Sequence, residues 1–238
     1  MIELITFDLD DTLWDNGPVI RRAVHEGYSW LLQQHPELAK IHDVITLDAL
    51  KESIRTSTPD LEYRVSEVRI VGMMCALQEI GYDATTARQL AEEAFDHFTL
   101  WRHKVELFAG TEQMLATLAK HYRLGVITNG NVDVHCIGLG DYFAFSVSAD
   151  TLNCAKPSPV IFEHALRTAN VAPENTLHVG DNLITDVHGA ANLGMKTLWF
   201  NPENRPLPAN STVPDITVNA LADIPAAIKI FLASHACP

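Results

Sequence analysis

The sequence predicts an α/β protein built on a doubly wound parallel sheet, with an all-helical segment inserted after the first strand. Three observations carry this. From Gly110 onward, short apolar, β-rich runs alternate with helical patterns, the order that gives parallel strands joined by crossover helices. Residues 18–100 show helical patterning only, through Leu31, Leu32, Leu50, Ile54, Met73, Met74, Leu77, Leu90 and Phe95. The runs read as strands end in acids, hydroxyls or amides, and in such sheets the ligand crevice lies outside the carboxyl ends of the strands.

Taken in order, Ile5-Thr6-Phe7 leads into Asp8-Leu9-Asp10-Asp11-Thr12-Leu13 and suits a short buried strand. Thr111 is placed to cap a helix running to about residue 120. A strand is expected over 124–127, a short helix over 131–138 and a third strand over 143–147. Ser158 and Pro159 begin a helix, serine as N-cap and proline at the first helical position. A strand over 176–179 is followed by a helix to residue 193, which Gly194 ends in the left-handed conformation. A strand over 197–200, a surface loop over 202–214 with Pro202, Pro206, Pro208 and Pro214, then a last strand over 216–218 and a helix over 224–233 complete the chain. No internal repeat or low-complexity segment interrupts this order.

A composition 47% hydrophobic and 20% charged excludes collagen, coiled coil and wholesale disorder. Asp and Glu number 30 against 17 Lys and Arg, a net charge of -13 with no Lys/Arg-rich run, which argues against nucleic acid or an anionic membrane as partner. No apolar run is long enough to span a bilayer, and Met1-Ile2-Glu3-Leu4 is acidic where a signal peptide is basic, so a cytoplasmic setting is expected. Cys75, Cys136, Cys154 and Cys237 lack zinc-type spacing and read as free thiols.

The strand ends gather the chemistry: Asp8 and Asp10 after the first strand, Thr128 and Asn129 after the second, Lys156 in the loop after the third, Asp181 and Asp186 after the fourth. Singly, an aspartate there is a turn residue or helix cap, and a lysine is a solvated charge. Jointly, the carboxylates repel and raise one another's pKa, which a fold tolerates when a cation or a reaction uses them. Four aspartates and one lysine carry -3; a divalent cation leaves -1, and a proton on Asp10 makes the site neutral before a phosphate arrives. The donors are hard oxygens without His or Cys, which selects Mg²⁺ over zinc.

At these four motifs, in order from Asp8 to Asp186, the sequence resembles the haloacid dehalogenase superfamily of phosphohydrolases. The resemblance implies a Rossmann-like core over 1–16 and 105–238 and a C1-type helical cap over 17–104, with hinges near 15–17 and 103–107. It implies Asp8 as nucleophile, Asp10 as general acid/base, Thr128 and Asn129 as phosphoryl-binding groups, and Lys156 as charge clamp. Asp8, the backbone carbonyl of Asp10, and Asp181 would hold the Mg²⁺, with Asp186 outside them. Dehalogenases of the superfamily lack an acid at the place of Asp10 and need no metal, so its presence implies a phosphate ester as substrate. Position 11 is Asp where Gly is common.

A finer similarity, to bacterial flavin mononucleotide phosphatases of riboflavin synthesis, runs through Ile127-Thr128-Asn129-Gly130-Asn131, Leu139-Gly140-Asp141-Tyr142-Phe143, Leu177-His178-Val179-Gly180-Asp181, Gly194-Met195 and Pro202-Glu203-Asn204. It lies almost wholly in the core. In the cap, Arg69 is expected to contact substrate, with Arg64 and Tyr63 on the same helix; the plainer alternative is a surface arginine paired with Glu62 or Glu67. His178 is expected as a core histidine, Cys154 as an inert thiol, and Trp14 and Trp101 as packing residues. The expected activity is hydrolysis of a small phosphorylated metabolite, flavin mononucleotide or a phosphoribityl pyrimidine precursor of riboflavin, by a monomer or homodimer. A sugar phosphomutase shares the motifs, and a phosphate-binding module without turnover is the alternative that intact Asp8 and Asp10 argue against.

Overall fold

Leu4, Ile5 and Phe7 are wholly buried, and a strand apolar on both faces belongs in the middle of a sheet. The computed structural model, which describes residues 1–235, places it there; Cys237 lies outside the described residues. Strands β1 (Leu4–Phe7), β2 (Arg123–Thr128), β3 (Ser146–Ser148), β4 (Thr176–Gly180), β5 (Lys196–Phe200) and β6 (Ile216–Val218) form one parallel sheet in the order β3-β2-β1-β4-β5-β6. Phe7 lies level with Val126 on one side and Val179 on the other. The chain thus leaves β1 for one flank and later returns to the other, and the carboxyl ends of β1, β2 and β4 meet at that switch point.

Two compact units make up the chain. One takes residues 1–15, 106–130 and 134 onward; the other takes 16–105 with 131–133. The second unit consists of α1 (Asn16–Gln34), α2 (Val44–Ser57), α3 (Val65–Glu79) and α4 (Ala84–Arg102) with short 3₁₀ turns between them. Asp43 and Thr46 form a reciprocal capping box on α2, and Asp83 accepts from the backbone of Thr85 and Thr86 to start α4. Tyr28, Leu31, Leu47, Met73 and Leu77 fill its core, and the small residues Ala87, Ala91 and Ala94 let α4 lie close to its neighbours.

In the sheet unit, α5 (Thr111–Leu118), α6 (Ala149–Leu152), α7 (Pro159–Ala169), α8 (Gly189–Ala191) and α9 (Ile224–His235) connect and flank the strands. Ser158 caps α7 through Val160 with Pro159 at its first position, and Gly194 has the left-handed φ of +81°. No described helix is long and apolar enough to cross a membrane.

Two expected helices are corrected. Residues 131–138 are turns: Asn131 is drawn into the helical unit, where it accepts from Arg102 (3.2 Å) and donates to Ser66 (3.1 Å), and the remaining residues close one bend through Leu139 N–H to Val134 (2.9 Å). That leaves too few residues to repay helix nucleation. After β4, the chain forms a wide π-type turn over Leu183–His188 before the single turn of α8. Its cause is the position of Asp186, described below.

Gly27 of α1 faces α4 closely: a Cβ there would stand 2.7 Å from Phe98 Cβ. Gly27→Ala should therefore overpack this pair and lower stability by about 1–3 kcal/mol. A urea midpoint equal to that of the parent protein would contradict this packing.

Candidate active site

Asp8 extends the β1 ladder by one residue, its N–H bonding Val179 O at 2.9 Å. The chain then turns sharply. Thr12 and Leu13 both donate backbone N–H groups to Leu9 O, and Asp11 takes a left-handed φ of +63°, which aspartate tolerates better than most side chains. The turn brings two side chains back over acids four residues earlier. Thr12 Oγ1 donates to Asp8 Oδ2 (3.3 Å) and to Asp181 Oδ1 (3.4 Å), and Trp14 Nε1 donates to Asp10 Oδ1 (3.1 Å).

After β2, the Thr128 hydroxyl accepts from Gly130 N–H (3.0 Å). The Asn129 amide pairs with the backbone of Lys156 in both directions, at 2.8 and 3.1 Å, and so ties the loops after β2 and β3 together. The Asn129 side chain therefore fixes the lysine. Lys156, 4% exposed, extends its Nζ to Asp8 Oδ1 at 2.7 Å and to Asp186 Oδ1 at 2.6 Å.

Asp186 is 1% exposed, and both of its oxygens are engaged: Oδ1 by Lys156 and by His178 Nε2 (3.3 Å), Oδ2 by the N–H of Asn182 (3.0 Å). The π-type turn makes this return contact, because Asp186 and Val187 both donate N–H groups to Asn182 O. Gly180 makes room for it, since a Cβ there would lie 2.3 Å from Asp186 Cγ. His178 Nδ1 in turn meets Thr6 Oγ1 at 2.8 Å. Burial holds His178 below its ordinary pKa, so it is neutral; with Nε2–H donating to the carboxylate, Nδ1 accepts from Thr6. The expectation of a core histidine holds for its burial, but its bond to Asp186 was not foreseen.

Burial, with the charges of Asp186 and Asp181, pushes Asp8 up to about 7 against the pull of Lys156. Burial, with Asp186 and Asp11, pushes Asp181 up to about 6. Burial opposes the charge of Asp186, but Lys156 and His178 outweigh it and hold that carboxyl below the usual range, while the two aspartates hold Lys156 above its own. Carboxylate oxygens of Asp8, Asp181 and Asp186 lie within 4.8 Å of one another. Three buried or half-buried acids facing one lysine leave a charge deficit of two, all on hard oxygen donors, which fits a divalent cation such as Mg²⁺. Because Asp186 is engaged three ways, Asp8 and Asp181 are the side chains suited to ligate it.

Arg69 belongs to the helical unit. It is 7% exposed, donates Nη1 to Tyr28 (2.8 Å) and Asp48 (3.4 Å), and stacks its guanidinium over Phe98. The surface pairing with Glu67 is corrected: Glu67 is taken by Arg88. Trp101, expected only to pack, carries Lys104 over its ring. Arg64 and Tyr63 precede α3, and Cys154 is a half-buried free thiol.

A family model described as haloacid dehalogenase-like hydrolase matches residues 2–194. The chain is 35% identical to 5-amino-6-(5-phospho-D-ribitylamino)uracil phosphatase YigB of Escherichia coli (strain K12), over 94% of each. It is 29% identical to N-acylneuraminate-9-phosphatase of Mus musculus, over 96% of this chain and 94% of that one. A solved structure, the 2-haloacid dehalogenase from Pseudomonas syringae pv. Tomato DC3000, superposes with a TM-score of 0.91 at 40% identity, covering 97% of this chain and 100% of that one.

The raised carboxyls have a consequence for stability. Folded, Asp8 and Asp181 keep protons to about 7 and about 6; unfolded, they lose them near 3.8. These two carboxyls bind more protons in the folded state across that window, so without a divalent ion their contribution to stability should fall as pH rises from about 4 to about 7. Asp186, held low, opposes this below that window, and His178, held below its ordinary pKa by burial, opposes it within the window. Melting curves in EDTA should therefore lose more stability with rising pH in the parent protein than in Asp8→Asn, and added Mg²⁺ should raise Tm more at pH 8 than at pH 5. Equal Mg²⁺ shifts at the two pH values would contradict the assignment.

Proposed function

The chain belongs to the haloacid dehalogenase-like hydrolase family, and we propose that within it the chain is a Mg²⁺-dependent phosphomonoesterase working through an aspartyl-phosphate on Asp8. It is a hydrolase of the phosphatase type, as its relatives are. The observation that carries the fuller reading is the buried Lys156, held between Asp8 and Asp186 at the meeting point of β1 and β4.

In this reading Asp8, oriented by Lys156 and Thr12, attacks phosphorus in line while the alkoxide leaves. Asp10 gives the leaving oxygen its proton, then takes one from the water that cleaves the intermediate. Lys156 and the Thr128 hydroxyl balance charge on the phosphoryl oxygens, and Asn129 fixes the lysine in place. Asp8, Asp181 and the backbone carbonyl of Asp10 would hold the metal, which supplies Lewis-acid charge to the phosphoryl group.

We read residues 1–16 and 105–238 as the catalytic core and 17–104 as the cap that selects the leaving group. Arg69 then acts by fixing Tyr28 and Asp48 beside a cleft lined also by Arg21, His25 and Lys51. The relative named for 5-amino-6-(5-phospho-D-ribitylamino)uracil supports a phosphoribityl pyrimidine as substrate; flavin mononucleotide, which carries the same phosphoribityl group, and a cytoplasmic setting complete the proposed reading.

A second reading comes from the name of the solved relative, a 2-haloacid dehalogenase. Asp10 and the crowded carboxylates favour the phosphatase, since halide displacement needs neither a proton donor for the leaving group nor a cation. The experiment is a panel of flavin mononucleotide, the phosphoribitylamino-uracil, N-acylneuraminate 9-phosphate and a 2-haloacid, each with Mg²⁺ and with EDTA. Phosphate release from the ribityl substrates with Mg²⁺ only is expected. Asp8→Asn should lose roughly 10³-fold or more, assayed fresh so that deamidation does not restore the acid. Halide release without phosphate release would overturn the proposal.

A further inference from the structure

The turn after β1 holds a second donor–acid pair beside the one between Thr12 and Asp8. Trp14 is 0% exposed, and its Nε1 stands 3.1 Å from Asp10 Oδ1. Its backbone is bridged to Asp10 on one side and to Leu107 on the other, so the chain on both sides of the ring is fixed. An indole N–H donates and never accepts. A carboxyl that alternates between acid and base carries its proton on one oxygen and accepts hydrogen bonds on the other. A donor-only neighbour can satisfy only the oxygen that stays proton-free, in both protonation states.

We infer that Trp14 is a positioning residue for Asp10: its indole N–H holds Oδ1 and so assigns proton transfer to Oδ2. The inference rests on the acid–base reading of Asp10. In the first half-reaction Oδ2–H passes its proton to the leaving oxygen as that oxygen parts from phosphorus and Asp8 bonds to it. In the second, Oδ2 takes a proton from water as the water oxygen bonds phosphorus and the Asp8–phosphorus bond breaks. Oδ1 stays on the indole throughout. The turn that makes this contact needs the left-handed Asp11, which returns residue 14 over residue 10 just as it returns residue 12 over residue 8.

Trp14→Phe keeps most of the ring and removes the N–H. With Mg²⁺ present, it should lower kcat/KM for an alkyl phosphate by about tenfold or more, the scale of a hydrogen bond to a charged group, while a nitrophenyl phosphate loses much less. Combined with Asp10→Asn, it should add no further loss. A loss equal for both esters, or one that adds in full to that of Asp10→Asn, would make Trp14 a packing residue and overturn the inference. If Asp10→Asn itself fails to discriminate between the esters, the acid–base reading of Asp10 fails instead. A second measurement needs no change at Trp14. In Asp10→Asn protein the Trp14 indole N–H proton resonance should move upfield while those of Trp30, Trp101 and Trp199 stay, and an unmoved Trp14 resonance would refute the contact.

Discussion

A buried lysine between two aspartates is the constraint around which the sheet end is organised. Lys156 stands 2.7 Å from Asp8 and 2.6 Å from Asp186 with almost no exposure, so removing the lysine would leave two buried carboxyls without their cation, at a cost of about 3–5 kcal/mol. Many neighbouring choices follow from holding that arrangement. Asn129 buckles the lysine backbone to the loop after β2, Gly180 clears the space beside Asp186, and the π-type turn brings Asp186 back to the N–H of Asn182. Neutral His178, backed by Thr6, supplies Asp186 with one more donor without adding a charge.

The same arrangement explains the excess of negative charge that remains. Lys156 offsets only one of the three clustered carboxylates, and burial lifts Asp8 and Asp181 toward neutrality. A divalent cation beside these acids would favour their ionised forms, and in the proposed reaction that would free Asp8 to act as nucleophile. On that proposal the geometry around Asp8, as well as phosphoryl chemistry, calls for a metal.

Much of this was legible in the sequence. Apolar runs such as Leu177-His178-Val179 mark buried strands, and Ser158-Pro159 marks a helix start, because period and cap chemistry are local. The convergence of Asp8, Lys156 and Asp186 could be argued from strand order, since parallel sheets put their strand ends together. What escaped depended on contacts that spacing does not encode. The turns over 131–138 follow from Asn131 joining Arg102 and Ser66, and the π-type turn from Asp186 reaching back past Gly180. Arg69 was legible as a basic residue on α3 but not as one engaged by Tyr28 and Phe98. Trp14 hid its role because a tryptophan in an apolar stretch reads as packing. The one signal was Asp at position 11, where a left-handed turn folds residue 14 back over residue 10.

The central claim, that Lys156 and its acids prepare Asp8 to carry a phosphoryl group, is tested most directly by locating that group. Asp10→Asn protein should still form the intermediate from nitrophenyl phosphate, whose leaving group needs no acid, but should release it slowly for want of a base. Acid quenching during turnover, followed by peptide mapping by mass spectrometry, should find a phosphoryl increment on the peptide bearing Asp8. An increment on any other residue, or phosphate release without a burst and with Asp8 unmodified at every quench time, would contradict the account.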